Sequence, residues 1–356
     1  MQNLVDALSQ KSPALGEAVA LLKVVLPLLR QETPGKAALF ARDGVSLEQL
    51  RAHRLTPLLY HELARRGGAT ALPPALLGEL RQDYVQSLQA TASEEEEIRE
   101  LLQALHQAGI TFILLKGADL RHRLYAEPAL RPMVDLDFMV SPTVVPVLRT
   151  LLERRGYRLT EALGHPPVKF IENFGFELTF NPPPGKRLLL EPHWEIRGEG
   201  CYYVLPFAPL AAAALATEHE GLPVKVLCPE HLLMHLCLHT HSDLGYAIQL
   251  LDVIWTVERL RLNWTFFLQE VTRFRCARPV AAVLEAVDFL TSPKVPASVL
   301  SSLRAYSPSW DERALLFLRN GLQNLSRDFP WLLQQRRLWE MVTFVLSHLR
   351  SRRLHR

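Results

Sequence analysis

Asp135 and Asp137 stand two residues apart in the run VDLDFMV at 134–140. On a strand, the period of two puts both carboxylates on one face and Val134, Leu136 and Phe138 on the other. Two carboxylates held so close repel each other unless a cation lies between them. Hard oxygen ligands favour Mg²⁺ or Mn²⁺ carrying a nucleotide's phosphates. Upstream, the apolar run ITFILL at 110–115 ends in Lys116-Gly117. A strand that turns there into a helix offers an anion backbone N–H groups, a residue without a Cβ and the Lys116 ammonium. The GxxxxGK[ST] spacing of a Walker loop is absent.

A third carboxylate comes from RLLLEPHWEI at 187–196, where alternation puts Glu191, His193 and Glu195 on one face and Leu190 and Trp194 on the other. Phosphoryl chemistry with two metal ions uses such a group as a shared ligand or as the base for an attacking hydroxyl. Glu191 is the expected residue, and Glu177 on the neighbouring extended run competes for the role. His231, His235 and His239 recur every four residues and share one helix face. With no HExxH and with leucines on the same helix, a structural or supporting role is expected, His239 and Asp243 bordering the cleft. Trp194 and Trp255 read as core aromatics. GxSxG, a Ser-His-Asp arrangement and a catalytic-Cys signature are absent, which leaves hydrolysis through a side-chain nucleophile without support.

Three stretches must position these residues. From 1 to 109 the apolar residues recur at three and four, the period of amphipathic helices. The EEEE run at 94–97 reads there as a solvated helix face. Residues 110–205 carry short strand-like runs with a helix from Pro142 to about Arg155, ended by Gly156. FGFELTF and RLLLEPHWEI, joined by NPPPGK, form an expected hairpin. Its second strand is expected near a sheet edge, because Pro192 has no N–H to donate. From 206 to 356 the helical period returns. The expected fold is therefore α/β (α+β), a small mixed-sheet core flanked by helical regions.

Composition sets the outer bounds. The 356 residues are 48% hydrophobic and 22% charged, an ordinary folded mix. The net charge of +3 gives no strong nucleic-acid signal. Four cysteines without a CxxC pair suit a reducing cytoplasm. Asp6, Glu17, Lys23 and Pro27 interrupt the first thirty residues, so neither a signal peptide nor a membrane span is expected. The basic end HLRSRRLHR reads as a frayed, solvated terminus.

The segment ILLKGADLRHRLYAEPALRPMVDLDFMV resembles the nucleotide-binding segment of bacterial nucleotidyltransferase-like proteins in the DNA polymerase beta superfamily. The LLKG, RPM and DLDFMV elements occur in the family's order. The resemblance extends through LEPHW and CPEHLLMHLCLHTHSD, covering about Arg51 to Leu303. It implies that Asp135, Asp137 and Glu191 bind two Mg²⁺ (or Mn²⁺) ions with a nucleoside triphosphate, ATP being the expected one. It also implies that Lys116 and Gly117 contact the triphosphate, that Ala118 and His193 complete the nucleotide-contacting set, and that Arg131 reaches a phosphate or holds the DxD loop. Family members carry Gly or Ser where Ala118 stands, and Asp-Leu-His-Trp where this chain has Glu191-Pro192-His193-Trp194. The implied activity is transfer of a nucleoside monophosphate to an acceptor, which is a small molecule, a protein or a tRNA, with release of pyrophosphate. A catalytically inactive nucleotide-binding scaffold and a DxD glycosyltransferase are the alternatives.

Overall fold

Among the described residues, the N-terminal helical period resolves, in a computed structural model, into four helices: α1 (Pro13–Arg30), α2 (Leu47–Ala52), α3 (Thr56–Arg65) and α4 (Pro74–Gln107). The structure describes residues 13–30, 45–65, 72–160, 176–197, 203–242, 245–291, 294–310 and 313. Asp243, the run from 161 to 175 and the basic C-terminal end lie outside these residues. Ser46 closes a capping box on α2, its Oγ accepting from Gln49 N at 3.1 Å while Gln49 Oε1 accepts from Ser46 N at 2.9 Å.

The strand-rich part then runs β1 (Phe112–Leu114), α5 (Lys116–Arg123), β2 (Asp135–Val140), α6 (Val145–Arg154), β3 (Arg158–Leu159), β4 (Phe180–Asn181) and β5 (Leu189–His193). A short two-stranded sheet follows, β6 (Glu195–Ile196) with β7 (Leu205–Pro206), and then α7 (Phe207–Ala213). The hairpin β8 (Leu215–His219) and β9 (Leu222–Val226) precedes five helices among the described residues. These are α8 (Pro229–Ser242), α9 (Ala247–Arg259), α10 (Trp264–Arg273), α11 (Ala277–Thr291) and α12 (Ala297–Ala305).

The main sheet has the order β3-β4-β5-β2-β1-β9-β8. It is mixed: β2 is antiparallel to β1 and parallel to β5, and β1 is parallel to β9. One face packs Leu114, Leu136, Phe138 and Leu190 against Ile98, Leu102 and Leu105 of α4. The other carries Ile113 and Met139 into a cluster shared with helices from both flanks, including Leu22 of α1, Leu233 of α8 and Val253 of α9. No helix among the described residues is long and apolar enough to cross a membrane.

Three expectations need correction. The hairpin β8–β9 lies in the stretch expected to be helical. Val224 and Val226 alternate with exposed or half-buried neighbours, and Glu220 and Gly221 make the turn with φ of +47° and +78°. The strand carrying Pro192 is not at an edge, since β5 lies between β4 and β2. Pro192 is tolerated there at the cost of one donor: Leu178 N opposite it still donates to the Pro192 carbonyl at 3.1 Å, and the pairing continues in a bridge between Glu177 and His193. The EEEE run is not a solvated face. Glu94, Glu95 and Glu97 are buried and only Glu96 is exposed. Glu97 accepts from the backbone N–H groups of Arg187 and Leu188, at 2.9 and 3.1 Å, and so ties α4 to the chain entering β5.

Candidate active site

The parallel pairing of β2 with β5 sets Asp137 opposite Glu191 and Asp135 opposite Leu189. The odd-numbered residues of both strands share a face, so Asp135, Asp137, Glu191 and His193 come together. Asp137 is buried, while Asp135 and Glu191 are half-buried. An antiparallel bridge between Glu177 and His193 brings Glu177 to the same place. Both carboxylates that competed for the third position are therefore present. Glu191 faces Asp137 across the strands, and Glu177 lies farther out, 37% exposed, bonded to His193.

Asp137 Oδ1 accepts two bonds, from Lys116 Nζ at 2.8 Å and from His193 Nε2 at 2.9 Å. The other ring nitrogen, Nδ1, reaches Glu177 Oε2 at 3.0 Å. Lys116 is the first residue of α5, and its backbone has φ of +40°. A left-handed conformation in a residue with a Cβ costs about 1–3 kcal/mol and persists where the surroundings over-determine it. Here the bond from Leu115 N to Asp137 O at 3.1 Å and the Lys116–Asp137 ion pair fix both sides of the bend. No side chain caps the first turn of α5, which points its N–H groups toward this end of the sheet.

Burial works against every charge in the cluster, and the neighbours decide which survive. Asp137 is held well below the usual carboxylate range because Lys116 and His193 outweigh its burial. Asp135 moves up through burial and the charge of Asp137. Burial and the charges of Asp137 and Glu177 push Glu191 up to about 7. Burial disfavours the His193 imidazolium, yet Glu177 and Asp137 raise it to about 9.

A dependence of stability on pH follows. Glu191 and His193 both hold their protons more tightly in the folded chain than their ordinary values of 4.5 and 6.5. Where the folded state binds more protons, stability falls as pH rises. The contribution of Glu191 declines from about 4.5 to 7, and that of His193, full below 6.5, is lost through 9. Each unit is worth about 1.4 kcal/mol, so the combined loss is on the order of a few kcal/mol. Thermal melting in metal-free buffer is expected to show a lower midpoint at pH 9 than at pH 6, and the gap narrows with Mg²⁺. A midpoint that stays level or rises across that range contradicts these assignments.

The remaining expected residues fall differently. Ala118 is 1% exposed and packs into the apolar cluster beneath the sheet, so its methyl group does not face the carboxylates. Gly117 is closely packed: a Cβ there would meet Arg131 Nη1 and Met133 Cβ at 3.2 Å and Met133 Sδ at 3.3 Å. Gly117→Ala is expected to lower stability by about 1–3 kcal/mol through that overpacking, read as a shift in urea midpoint. An unchanged midpoint would show that Met133 yields without strain. Arg131 lies in the loop before the DxD strand, engaged with α9. Its Nη2 pairs with Asp252 Oδ2 at 2.8 Å, and Tyr125 Oη donates to Asp252 Oδ1 at 2.6 Å, tying the loop before β2 to α9.

Arg54 was not expected. It sits at the turn between α2 and α3 with φ of +60°, half-buried, its guanidinium 3.8 Å from the centre of the Tyr246 ring. Its charge acts on Asp135. Nothing local in the sequence marks it, because more than eighty residues separate it from the DxD strand.

The three histidines of α8 do not act together. His231 pairs with Glu270 at 2.9 Å and lies against Phe266 and Phe274. His235 and His239 face the site, where burial and the Lys116 charge keep them neutral, His239 at about 3. His239 Nδ1 is 3.3 Å from Gln249 Nε2. Trp194 and Trp255 are core residues.

Two solved structures superpose on part of the chain, and one family profile matches it. An antigenic nucleotidyltransferase-like protein from Paracoccidioides brasiliensis superposes with a TM-score of 0.37 at 15% identity, covering 61% of this chain and 95% of that one. The antibiotic-resistance factor ANT(2'')-Ia superposes with a TM-score of 0.36 at 15% identity, covering 55% of this chain and 96% of the other. No curated protein matches the sequence. The profile of a family described as uncharacterised nucleotidyltransferase matches residues 44–291, which takes in the sheet, α5, the carboxylate cluster and α8. With well over half of its length matched, the chain belongs to this nucleotidyltransferase family.

Proposed function

We propose that the protein transfers a nucleoside monophosphate from a nucleoside triphosphate, ATP in the first instance, to an acceptor hydroxyl in a reaction that depends on Mg²⁺ or Mn²⁺. The acceptor oxygen forms a bond to the α-phosphorus, the bond from that phosphorus to the bridging oxygen breaks, and pyrophosphate leaves. The observation that carries this reading is the register that sets Asp137 against Glu191, with Asp135 on the same face at the uncapped start of α5.

The donor set fits a hard divalent cation. Carboxylate oxygens of Asp137 and Glu191 lie within 4.8 Å of each other, and the upward shifts of Asp135 and Glu191 mark a cluster short of positive charge. Asp135, Asp137 and Glu191 are the proposed ligands. When bound there, such ions neutralise the phosphates and the oxygens of an in-line displacement. His193, as an imidazolium between Asp137 and Glu177, orients Asp137. Glu191, half-buried opposite Asp137, is the carboxylate proposed to assist removal of the acceptor's proton. Lys116 holds Asp137 and contributes charge at the phosphate end of α5, and Arg54 is the further cation proposed to meet the triphosphate.

The test incubates the full chain with each nucleoside triphosphate, Mg²⁺ and fractionated cell extract, following pyrophosphate release and incorporation of α-phosphate label. Mg²⁺-dependent release that the Asp135→Ala, Asp137→Ala double variant lacks supports the proposal. Triphosphate binding without turnover in any fraction points to a binding scaffold. Preference for UDP-sugars over free triphosphates points to glycosyl transfer. Label that persists in the double variant overturns the mechanism.

A further inference from the structure

A second convergence of ligating side chains lies at the other end of α5. Glu95 of α4, His122 of α5 and His219 of β8 meet there, with their ligand atoms all within 4.8 Å of one another. Both ring Nε2 atoms point at one carboxylate oxygen: His219 Nε2 is 2.9 Å and His122 Nε2 3.2 Å from Glu95 Oε2. The two rings meet edge to face, with centres 4.5 Å apart. We propose that Glu95, His122 and His219 form a binding site for a single transition-metal ion, with zinc the best chemical match, distinct from the Mg²⁺ positions of the nucleotidyltransferase site.

Geometry, donor chemistry and support agree. Zinc bonds to imidazole nitrogen and carboxylate oxygen are about 2.0–2.1 Å long, so ligand atoms at the corners of a tetrahedron are separated by roughly 3.3 Å. The observed 2.9 and 3.2 Å need to open only slightly to admit the ion. Two imidazoles with one carboxylate suit zinc, whereas Mg²⁺ and Ca²⁺ prefer oxygen alone. Zinc ligands are held by outer partners. Here Arg121 Nη1 donates to the other oxygen of Glu95 at 3.0 Å, and Arg121 itself is anchored on Glu94 at 2.8 Å. Asp119 adds a second carboxylate nearby, paired with Arg123 at 2.7 Å.

Glu95 and His219 are buried, and the His122 side chain is 36% exposed, which leaves an entry path and a fourth position for water. His122 lies six residues along α5 from Lys116, or about 9 Å of helix. The ion would pin α4, α5 and the β8–β9 hairpin together without entering the carboxylate cluster around Asp137.

The experiment strips the full chain with a chelator and titrates it with Zn²⁺ alone, following bound metal, and with Co²⁺ alone, following visible absorption. Wild type is expected to take up one Zn²⁺ tightly, gain thermal stability with it and give the intense bands of tetrahedral Co²⁺. His122→Ala, at the exposed ligand, is expected to weaken uptake more than the ~10–100-fold typical of losing an outer partner, as is His219→Gln. Asp137→Asn is expected to keep it, which separates this site from the nucleotidyltransferase one. His122→Cys is expected to restore binding and to add a thiolate-to-cobalt charge-transfer band, a signal that a merely folded variant does not give. No tight Zn²⁺ uptake by the wild type, or equal uptake by folded His122→Ala, would overturn the proposal and leave a purely hydrogen-bonded network.

Discussion

Asp137→Asn is expected to reduce nucleotidyl transfer by at least about a thousandfold, or roughly 4 kcal/mol of transition-state stabilisation. The substitution keeps the shape of the side chain and removes its charge. Asp137 is the carboxylate on which the site is organised: it faces Glu191 across the strands, takes the Lys116 ammonium on one oxygen and receives His193 on the same atom. Without its charge, the proposed cation loses a ligand and Lys116 loses its partner. The effect should fall on turnover, since these contacts act on the reacting phosphate, where electrostatic complementarity matters most. Steady-state pyrophosphate release with the wild type and variant at matched Mg²⁺ provides the measurement, with circular dichroism melts to confirm that both are folded. A loss below about tenfold, less than 1.4 kcal/mol, would remove Asp137 from the chemistry.

Arg121→Ala is expected to be the most damaging substitution outside the site. The Arg121 side chain is 0% exposed and bridges Glu94 and Glu95 at 2.8 and 3.0 Å, with a further bond from Nη2 to Arg131 O at 3.3 Å. Removing one partner of a buried ion pair leaves the other charge desolvated without compensation, at a cost of about 3–5 kcal/mol. Glu94 would lose its cation, and Glu95 would be left to His122 and His219. Against a typical total stability of about 5–15 kcal/mol, that loss brings the chain close to unfolding. Arg121→Lys keeps the charge but not the planar fork, and an intermediate loss is expected. Urea unfolding of the three proteins measures this. A shift equivalent to less than about 1 kcal/mol in Arg121→Ala would mean that solvent reaches Glu94 and Glu95.

How much of this was legible depends on the distance over which each signal acts. The period of two around Asp135 and Asp137 is local, and so is the Lys116-Gly117 bend; both were readable residue by residue. The meeting of Asp137 with Glu191 required a pairing between strands more than fifty residues apart, which alternation alone cannot register. Partners were less visible still. The tie of Arg131 to α9 was hidden because its partner Asp252 lies 121 residues away. The packing of Met133 and Arg131 against Gly117 exists only once the loop folds over it.

In one place the signal was present and was passed over. The buried positions Ile98, Leu101, Leu102 and Leu105 of α4, continued backward by threes and fours, reach Glu94, Glu95 and Glu97 and miss Glu96. Charge type suggested solvent, while helical phase placed three of the four glutamates inside. The same phase argument, with Arg121 as the only fully buried cation on α5, accounts for both the ion-pair network and the histidine site beside it.

The most direct test of the central claim is a crystal structure of the full chain with Mn²⁺ and a non-hydrolysable triphosphate, read by anomalous scattering from the metal. Manganese is expected between Asp135, Asp137 and Glu191, with the triphosphate running toward the start of α5. Manganese absent from that face, or a triphosphate bound elsewhere while Asp137 keeps both Lys116 and His193, would contradict it.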